Sequence, residues 1–213
     1  MSLMSRLAAR TPEEAERRRF ALWAGLSLIV LLPLWWIWGA DVVIGLLRPL
    51  AGLVFRLFGL TGEIGTGADG AWMVGTPLTQ AGQPISLPMD RESLRRMMLG
   101  FPLLAAFMIA PPRVARLWRA AAIAVPVLCL VFMVSVALSV WGDLAPMLSP
   151  DLASETMTVT MRPDQPPLHP FVAQVVIIGR YVAYSIAPLL TALILWATLN
   201  PEGLRTLVAE IKE

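Results

Sequence analysis

Arg180 is the residue with the clearest capacity for chemistry. It lies about ten residues inside an apolar stretch, beside the chain's only two tyrosines, Tyr181 and Tyr184. An arginine in such a stretch normally faces an ionic partner or a water-filled cavity. The candidate partners are Asp143 and Asp41. Three roles are therefore open for Arg180: an ion pair that locks helices together, a grip on the polar flank of a peptide or lipid, or snorkelling to the interface.

Two further arginines could extend this polar region. Arg95 and Arg96 precede another apolar stretch and could join an outward-facing basic cluster that binds a phosphate or a carboxylate. The alternative is that they anchor a short helix at the membrane interface. The predicted contacts for a partner or substrate are Arg180, Arg95, Arg96, Tyr181, Tyr184 and Asp143.

A cysteine, a histidine and an arginine resemble the residue set of a cysteine transpeptidase, but their spacing opposes that role. Cys129 lies near the middle of one apolar stretch and His169 at the outer end of the next, so roughly 15–20 Å separates them along a helix axis. Apolar surroundings also disfavour a thiolate nucleophile. The acidic residues show no metalloprotease or phosphate-loop spacing. We therefore expect no catalytic, cofactor or metal site, and a protein that is not an enzyme.

Composition predicts an integral membrane protein. Of 213 residues, 57% are hydrophobic and only 15% are charged, and the mean hydropathy is +0.68. A soluble fold with this composition would expose large apolar patches and aggregate. No basic run is interleaved with aromatic residues outside the apolar stretches, so a nucleic-acid partner is not expected.

The residues that could do chemistry must be positioned by membrane-spanning helices. About 20 apolar residues cross a bilayer, and arginines concentrate on the cytoplasmic side. Arg17, Arg18 and Arg19 precede the first stretch and place the N-terminus in the cytoplasm. The predicted spans are 20–40, 93–112, 120–142 and 171–199, within a transmembrane domain of residues 20–200.

Four crossings return both termini to the cytoplasm, with residues 1–19 as an N-terminal segment and 201–213 as a tail. Residues 61–90 and 143–170 are then extracytoplasmic. Glycines and prolines break helices in the first of these segments, where Trp72–Val74 and Ile85–Leu87 suggest a small β-hairpin. The predicted fold is thus an all-α membrane protein with about four transmembrane helices and an extracytoplasmic β-hairpin.

Residues 42–60 allow two interpretations. Arg48 and Arg56 are eight residues apart and share a helical face, whereas the other positions are largely apolar. This pattern favours a helix that lies in the interface with its arginines directed to headgroups. A second crossing at this point would place two arginines in lipid, which is costly.

The order of these segments resembles the exosortase H-associated membrane proteins, which are small partners encoded beside an exosortase in Gram-negative bacteria. The stretches that carry the resemblance are Leu31-Leu32-Pro33-Leu34-Trp35-Trp36, the Leu-Arg-Pro-Leu of residues 47–50, Gly100-Phe101-Pro102-Leu103-Leu104-Ala105-Ala106, and Gly179-Arg180-Tyr181-Val182-Ala183-Tyr184-Ser185-Ile186-Ala187-Pro188-Leu189-Leu190. The resemblance implies an accessory role in sorting proteins that carry a C-terminal transmembrane tail. It supplies no catalytic residues.

The leading hypothesis is therefore a non-enzymatic accessory protein that binds an exosortase or its tailed substrates in the bilayer. The Ala-x-Cys-Ser-Gly type of motif expected of an exosortase is absent, because Leu128-Cys129-Leu130 stands in its place. Two alternatives stay open. One is a cryptic membrane peptidase or transferase that uses Arg180, His169 and Asp143, and the other is a structural subunit of another envelope or export complex.

Overall fold

Three helices are long and apolar enough to cross a membrane. The computed structural model describes residues 12–80, 83–149 and 168–208. Within them, the candidate spans are Glu14–Leu57, Leu117–Pro146 and Pro170–Leu199. The prediction of a mostly helical membrane protein is confirmed. The predicted spans 20–40, 120–142 and 171–199 fall within these three helices.

The described residues form helices, strands and two short π-helical segments. In chain order they are α1 (Pro12–Leu34), the first π segment (Trp35–Gly39), α2 (Ala40–Leu57), β1 (Ile64–Thr66), β2 (Trp72–Gln80), β3 (Gln83–Met89), α3 (Arg91–Met97), α4 (Gly100–Ile109), α5 (Leu117–Leu148), α6 (Pro170–Tyr181), the second π segment (Val182–Ile186), α7 (Ala187–Leu199) and α8 (Pro201–Val208).

The first long helix bends between α1 and α2. A straight helix from Phe20 to Phe58 would measure about 57 Å. Phe20, however, shares a core with Ala120 of α5, and the Phe58 carbonyl accepts a hydrogen bond from Trp141 Nε1 of α5 at 2.7 Å. These two α5 residues are only about 32 Å apart along the axis. The π segment and Pro33 just before it account for the bend.

Helix α2 is apolar on two opposite faces. One face is buried in the protein core (Ala40, Ile44, Leu47, Ala51 and Phe55), and the other exposes large apolar side chains (Val42, Leu46, Leu50, Leu53 and Leu57). A helix with one face on protein and the opposite face uncovered suits contact with lipid. The interfacial position of residues 42–60 stays a prediction, because a membrane-spanning helix exposes an apolar face in the same way.

The sheet between α2 and α3 has three antiparallel strands in the order β1-β2-β3. The predicted hairpin is present, with Val74 opposite Leu87, and β1 adds a strand that the sequence did not predict. The hairpin packs inward through Trp72, whose ring lies 5.9 Å from that of Phe132 in α5. This contact fixes the sheet beside the second half of α5.

The predicted span 93–112 is not confirmed, because two short helices occupy it. Helix α3 begins with the Asp90 carboxylate accepting a hydrogen bond from the Ser93 amide at 2.9 Å. Helix α4 has ten residues, or about 15 Å, which is half the thickness of a hydrocarbon core. A Cβ added to Gly100 would lie 2.5 Å from the Pro188 carbonyl, so α4 begins against α7.

The buried residues form two cores, one at each end of the helices. One core lies at the end that we call the "sheet end", where α2, the sheet, α3 and the second half of α5 pack around Trp72 and Phe132. The "opposite end" is built around Phe20 and Trp196. Helix α5 continues to Leu148, so the predicted loop 143–170 starts as helix. The rest of that loop, at 150–167, and residues 1–11 and 209–213 of the predicted terminal segments lie outside the described residues.

Candidate functional site

A layer of paired charges lies at the sheet end around α3. The Asp41 carboxylate accepts hydrogen bonds from two arginines of this helix. Arg95 donates through Nε at 3.0 Å and Nη2 at 2.6 Å, and Arg91 donates through Nε at 2.9 Å and through Nη2. The Arg95 side chain is only 16% exposed, whereas that of Arg91 is 46% exposed. Arg95 is therefore committed to an internal ion pair.

The two π segments hold α3 from different sides. The Arg95 guanidinium lies 5.8 Å from the centre of the Trp36 ring in the first π segment. In the second, the Tyr184 hydroxyl donates to Ser93 Oγ at 3.3 Å and its side chain also contacts Arg96. A π segment carries an extra residue per turn and redirects the side chains that follow it. These two segments thereby deliver Trp36 and Tyr184 to the same short helix.

Arg180 and Asp143 form the second ion pair of this region. Arg180 Nη1 lies 2.5 Å from Asp143 Oδ1. This ion pair joins α6 to α5. Of the two candidate partners, the structure thus brings Asp143 to Arg180, while Asp41 pairs with α3. A Cβ added to Gly142 would lie 2.6 Å from the Arg180 Cβ, so this glycine lets the two helices approach. Both partners remain partly exposed, at 40% and 34%.

The six predicted contact residues are therefore distributed over two ion-pair systems. Arg96 pairs with Glu92 on the exposed side of α3. Tyr181 is 67% exposed beside Arg180, with the guanidinium 6.0 Å from its ring. The exposed members Arg96, Tyr181 and Arg180 can reach an incoming molecule, whereas Arg95 cannot without leaving Asp41. Their contact with a partner remains a prediction.

An apolar groove of about 560 Å³ lies next to the Arg180–Asp143 pair. It runs between α5 and the last long helix, which consists of α6, the second π segment and α7. One wall presents small residues at every fourth position of that helix (Gly179, Ala183, Ala187 and Thr191), and the other carries larger side chains of α5 (Leu130, Val131, Val134 and Leu138). Small residues at this spacing allow close approach of another helix. The spacing is visible in the sequence, but only the structure shows that it lines a groove.

The residues of the catalytic alternative do not form one site. The His169 side chain caps α6, with Nδ1 accepting from the Phe171 amide at 3.2 Å. It lies eleven residues before Arg180, or about 16 Å along the axis. Cys129 packs against the core of the sheet end. Within residues 12–80, 83–149 and 168–208, no three His, Cys, Asp or Glu side chains are grouped to hold a metal ion.

A family model described as "exosortase H-associated membrane protein" matches residues 14–203. No curated protein and no solved structure matches the chain. The match covers the three candidate spans, the sheet and both ion-pair systems.

Proposed function

Because this chain belongs to the exosortase H-associated membrane proteins, we propose that it is a non-enzymatic accessory subunit of a protein-sorting system. It binds an exosortase, or the C-terminally tailed substrates of one, within the inner membrane of a Gram-negative bacterium. The family description supports the association with an exosortase. The mode of binding is argued from the surface of the helices.

The observation that carries this proposal is the groove between α5 and the last long helix. Helices associate in lipid through close packing, and small residues at every fourth position favour it. Gly179, Ala183 and Ala187 provide that pattern on one wall of a groove whose lining is almost entirely apolar. A transmembrane helix of the partner is an occupant of the right shape and polarity.

The Arg180–Asp143 ion pair next to the groove supplies the polar part of the interface. The Arg180 guanidinium is 40% exposed and uses one amino nitrogen for Asp143, so it has further N–H groups for a polar flank of the partner. Tyr181 and Tyr184 lie on the same long helix as Arg180, and Arg96 of α3 adds a second exposed guanidinium. These residues set the register of the bound helix rather than its affinity.

We assign the sheet end to the extracytoplasmic side and both termini to the cytoplasm. Arg17, Arg18 and Arg19 lie on α1 at the opposite end, and Arg113 and Arg116 precede α5 at that same end. Three crossings would separate the termini, so this topology requires α3 and α4 together to carry the chain from the sheet end to the opposite end as a fourth crossing. An accessible-cysteine experiment at Ser2 and Lys212 tests it directly, since both must label from the cytoplasm.

The proposed interface is tested by co-purification with an exosortase. In Gly179→Leu a leucine would occupy the groove, and its Cβ meets no described heavy atom within 4 Å, so we expect the variant to fold. Gly25→Leu is the matched control, because Gly25 is also a helical glycine with open space around it, but lies on α1 away from the groove. Both tagged variants are purified in mild detergent with the exosortase co-expressed.

We expect Gly179→Leu to lose most of the co-purified exosortase or tailed substrate while Gly25→Leu retains it. Equal yields with both variants would exclude the groove as the interface. Failure of the unmodified chain to retain any exosortase or tailed substrate would refute the accessory role itself.

A further inference from the structure

A polar cavity of about 370 Å³ opens between α2, the sheet and the start of α3, apart from the groove and the Arg180 pair. Its wall combines cationic, anionic and hydroxyl side chains with a bare glycine: Arg48, Arg91, Asp41, Asp69, Thr66 and Gly45. The neighbouring cavity of about 230 Å³ is also lined by Arg48. Arg48 thus lies at the junction of two openings in an otherwise apolar region.

Arg48 is oriented by the protein but is not neutralised by it. Its Nε and Nη2 donate to the Ile64 carbonyl at 3.1 and 2.6 Å. In the described part of the chain, no carboxylate lies within 4.0 Å of this guanidinium. A guanidinium has five N–H donors, so three remain for another acceptor. A half-buried arginine held in this way is prepared for an anion.

The opposite charge in the cavity is provided by Asp69. Asp41 is already bound by Arg91 and Arg95, whereas Asp69 is exposed and forms no ion pair among the residues the structure describes. It lies in a tight turn at φ 58°, a conformation that aspartate and asparagine tolerate better than most residues. The cavity therefore offers a cation at one position and an anion at another.

The position of the cavity relates it to the lipid headgroups. Helix α2 exposes Val42, Leu46 and Leu50 on one face, and Gly45 and Arg48 belong to the adjoining face that lines the cavity. A helix with this arrangement lies where hydrocarbon meets headgroups. A molecule that carries both charges and reaches the cavity from this depth is a zwitterionic phospholipid.

We propose that this cavity binds the headgroup of phosphatidylethanolamine, with the phosphate at Arg48 and the ammonium group at Asp69. The phosphodiester accepts from the free N–H groups of Arg48, and the primary ammonium donates to the Asp69 carboxylate. Phosphatidylglycerol offers the phosphate but no cation for Asp69. Phosphatidylcholine has a cation without N–H donors. This site does not depend on the accessory role proposed above.

The test is ligand binding to the delipidated full chain, measured by native mass spectrometry with phosphatidylethanolamine, phosphatidylglycerol, phosphatidylcholine and soluble phosphoethanolamine added separately. We expect Arg48→Gln to weaken phosphatidylethanolamine binding roughly tenfold, as removal of a charge-assisted contact predicts. Arg56→Gln is the matched control. Arg56 lies on the same helix, exposed and without a carboxylate partner in the described residues, but it lines neither cavity.

Two further variants separate headgroup recognition from folding. Asp69→Asn keeps the turn and removes the charge, so it should abolish the preference for ethanolamine over glycerol while phosphate binding persists. Gly45→Leu leaves every charge in place. A Cβ at this position finds open space, so the leucine side chain should extend into the cavity and block all three lipids. Gly25→Leu, which lies away from the cavity, should bind as the unmodified chain does.

Three results would overturn the proposal. The first is equal binding by the Arg48→Gln and Arg56→Gln variants. The second is an unmodified chain that binds phosphatidylglycerol or phosphatidylcholine as tightly as phosphatidylethanolamine. The third is binding of soluble phosphoethanolamine without binding of the lipid, which would assign the cavity to a free phosphate ester instead.

Discussion

The link between Asp41 and α3 should contribute measurably to the stability of the sheet end. Asp41→Asn keeps the size of the side chain and one oxygen acceptor but removes the charge that faces Arg95. That guanidinium is only 16% exposed, so water compensates it poorly. Hydrogen bonds to charged groups contribute about 1.5–3 kcal/mol, and stranding a buried charge costs more. Because Asp41 itself is 27% exposed and Asn remains an acceptor, we expect a loss of about 2 kcal/mol.

This loss can be measured as a change in melting temperature. For a chain of 150–250 residues, 1 kcal/mol corresponds to about 2–4 °C, so Asp41→Asn should lower the apparent Tm by about 4–8 °C. The assay is intrinsic tryptophan fluorescence of the protein in detergent at one fixed scan rate, since unfolding of such proteins is often irreversible. The chain has eight tryptophans, including Trp36 beside Arg95.

Two companion variants test the reasoning. Glu92→Gln breaks an ion pair on the same helix whose members are 51% and 57% exposed, so it should leave the Tm unchanged. Adding Arg95→Met to Asp41→Asn should recover at least half of the lost Tm, because the stranded charge is then gone. If Asp41→Asn melts at the same temperature as Glu92→Gln, the pair is not a structural link and the argument fails.

Three other changes should affect the same fluorescence melting curve. Trp141→Phe removes the N–H that donates to the Phe58 carbonyl and should lower the Tm by about 2–4 °C, as expected for a bond of about 1 kcal/mol; an unchanged Tm would mean that this bond does not hold α2 to α5. Gly142→Ala places a methyl group against the Arg180 stem and should cost about 1–3 kcal/mol by overpacking, and a neutral result would contradict the close approach of α5 and α6. Burial raises the pKa of Asp90, but hydrogen bonds from the start of α3 lower it further, and the net pKa lies below its ordinary value. Its capping contribution is therefore complete above about pH 4 and lost as the pH falls through the lowered pKa, a loss that Asp90→Asn should abolish without weakening the cap.

Local signals in the sequence predicted the elements that depend on neighbouring residues. The short strands of the hairpin and the apolar runs 120–142 and 171–199 depend on nearby residues, and all are present in the structure. Pairing of Arg180 with Asp143 could be named in advance because few carboxylates lie near the ends of the apolar stretches. These features needed no knowledge of tertiary packing.

Features that depend on distant packing could not be predicted. The partner of Arg95 is Asp41, 54 residues away, and it is reached because α1 and α2 bend at a π segment. One extra residue in a helical turn leaves no clear mark on apolar periodicity. The break after Met97 was likewise hidden, since residues 97–112 are apolar throughout. It arises where Gly100 packs on the Pro188 carbonyl.

The ion pairs between arginines and carboxylates determine which arginines can still contribute binding energy to a new partner. A cation that already has a carboxylate gains less from a new anion, because its charge is already compensated. Arg95 and Arg180 are in that position, although the sequence pattern indicates both as candidate contacts for a partner. The sequence pattern directs Arg48 to lipid headgroups, and the structure shows that it faces a cavity without a carboxylate partner among the described residues. For a helical partner, the groove beside Gly179 is the stronger source of affinity, since filling it displaces only lipid.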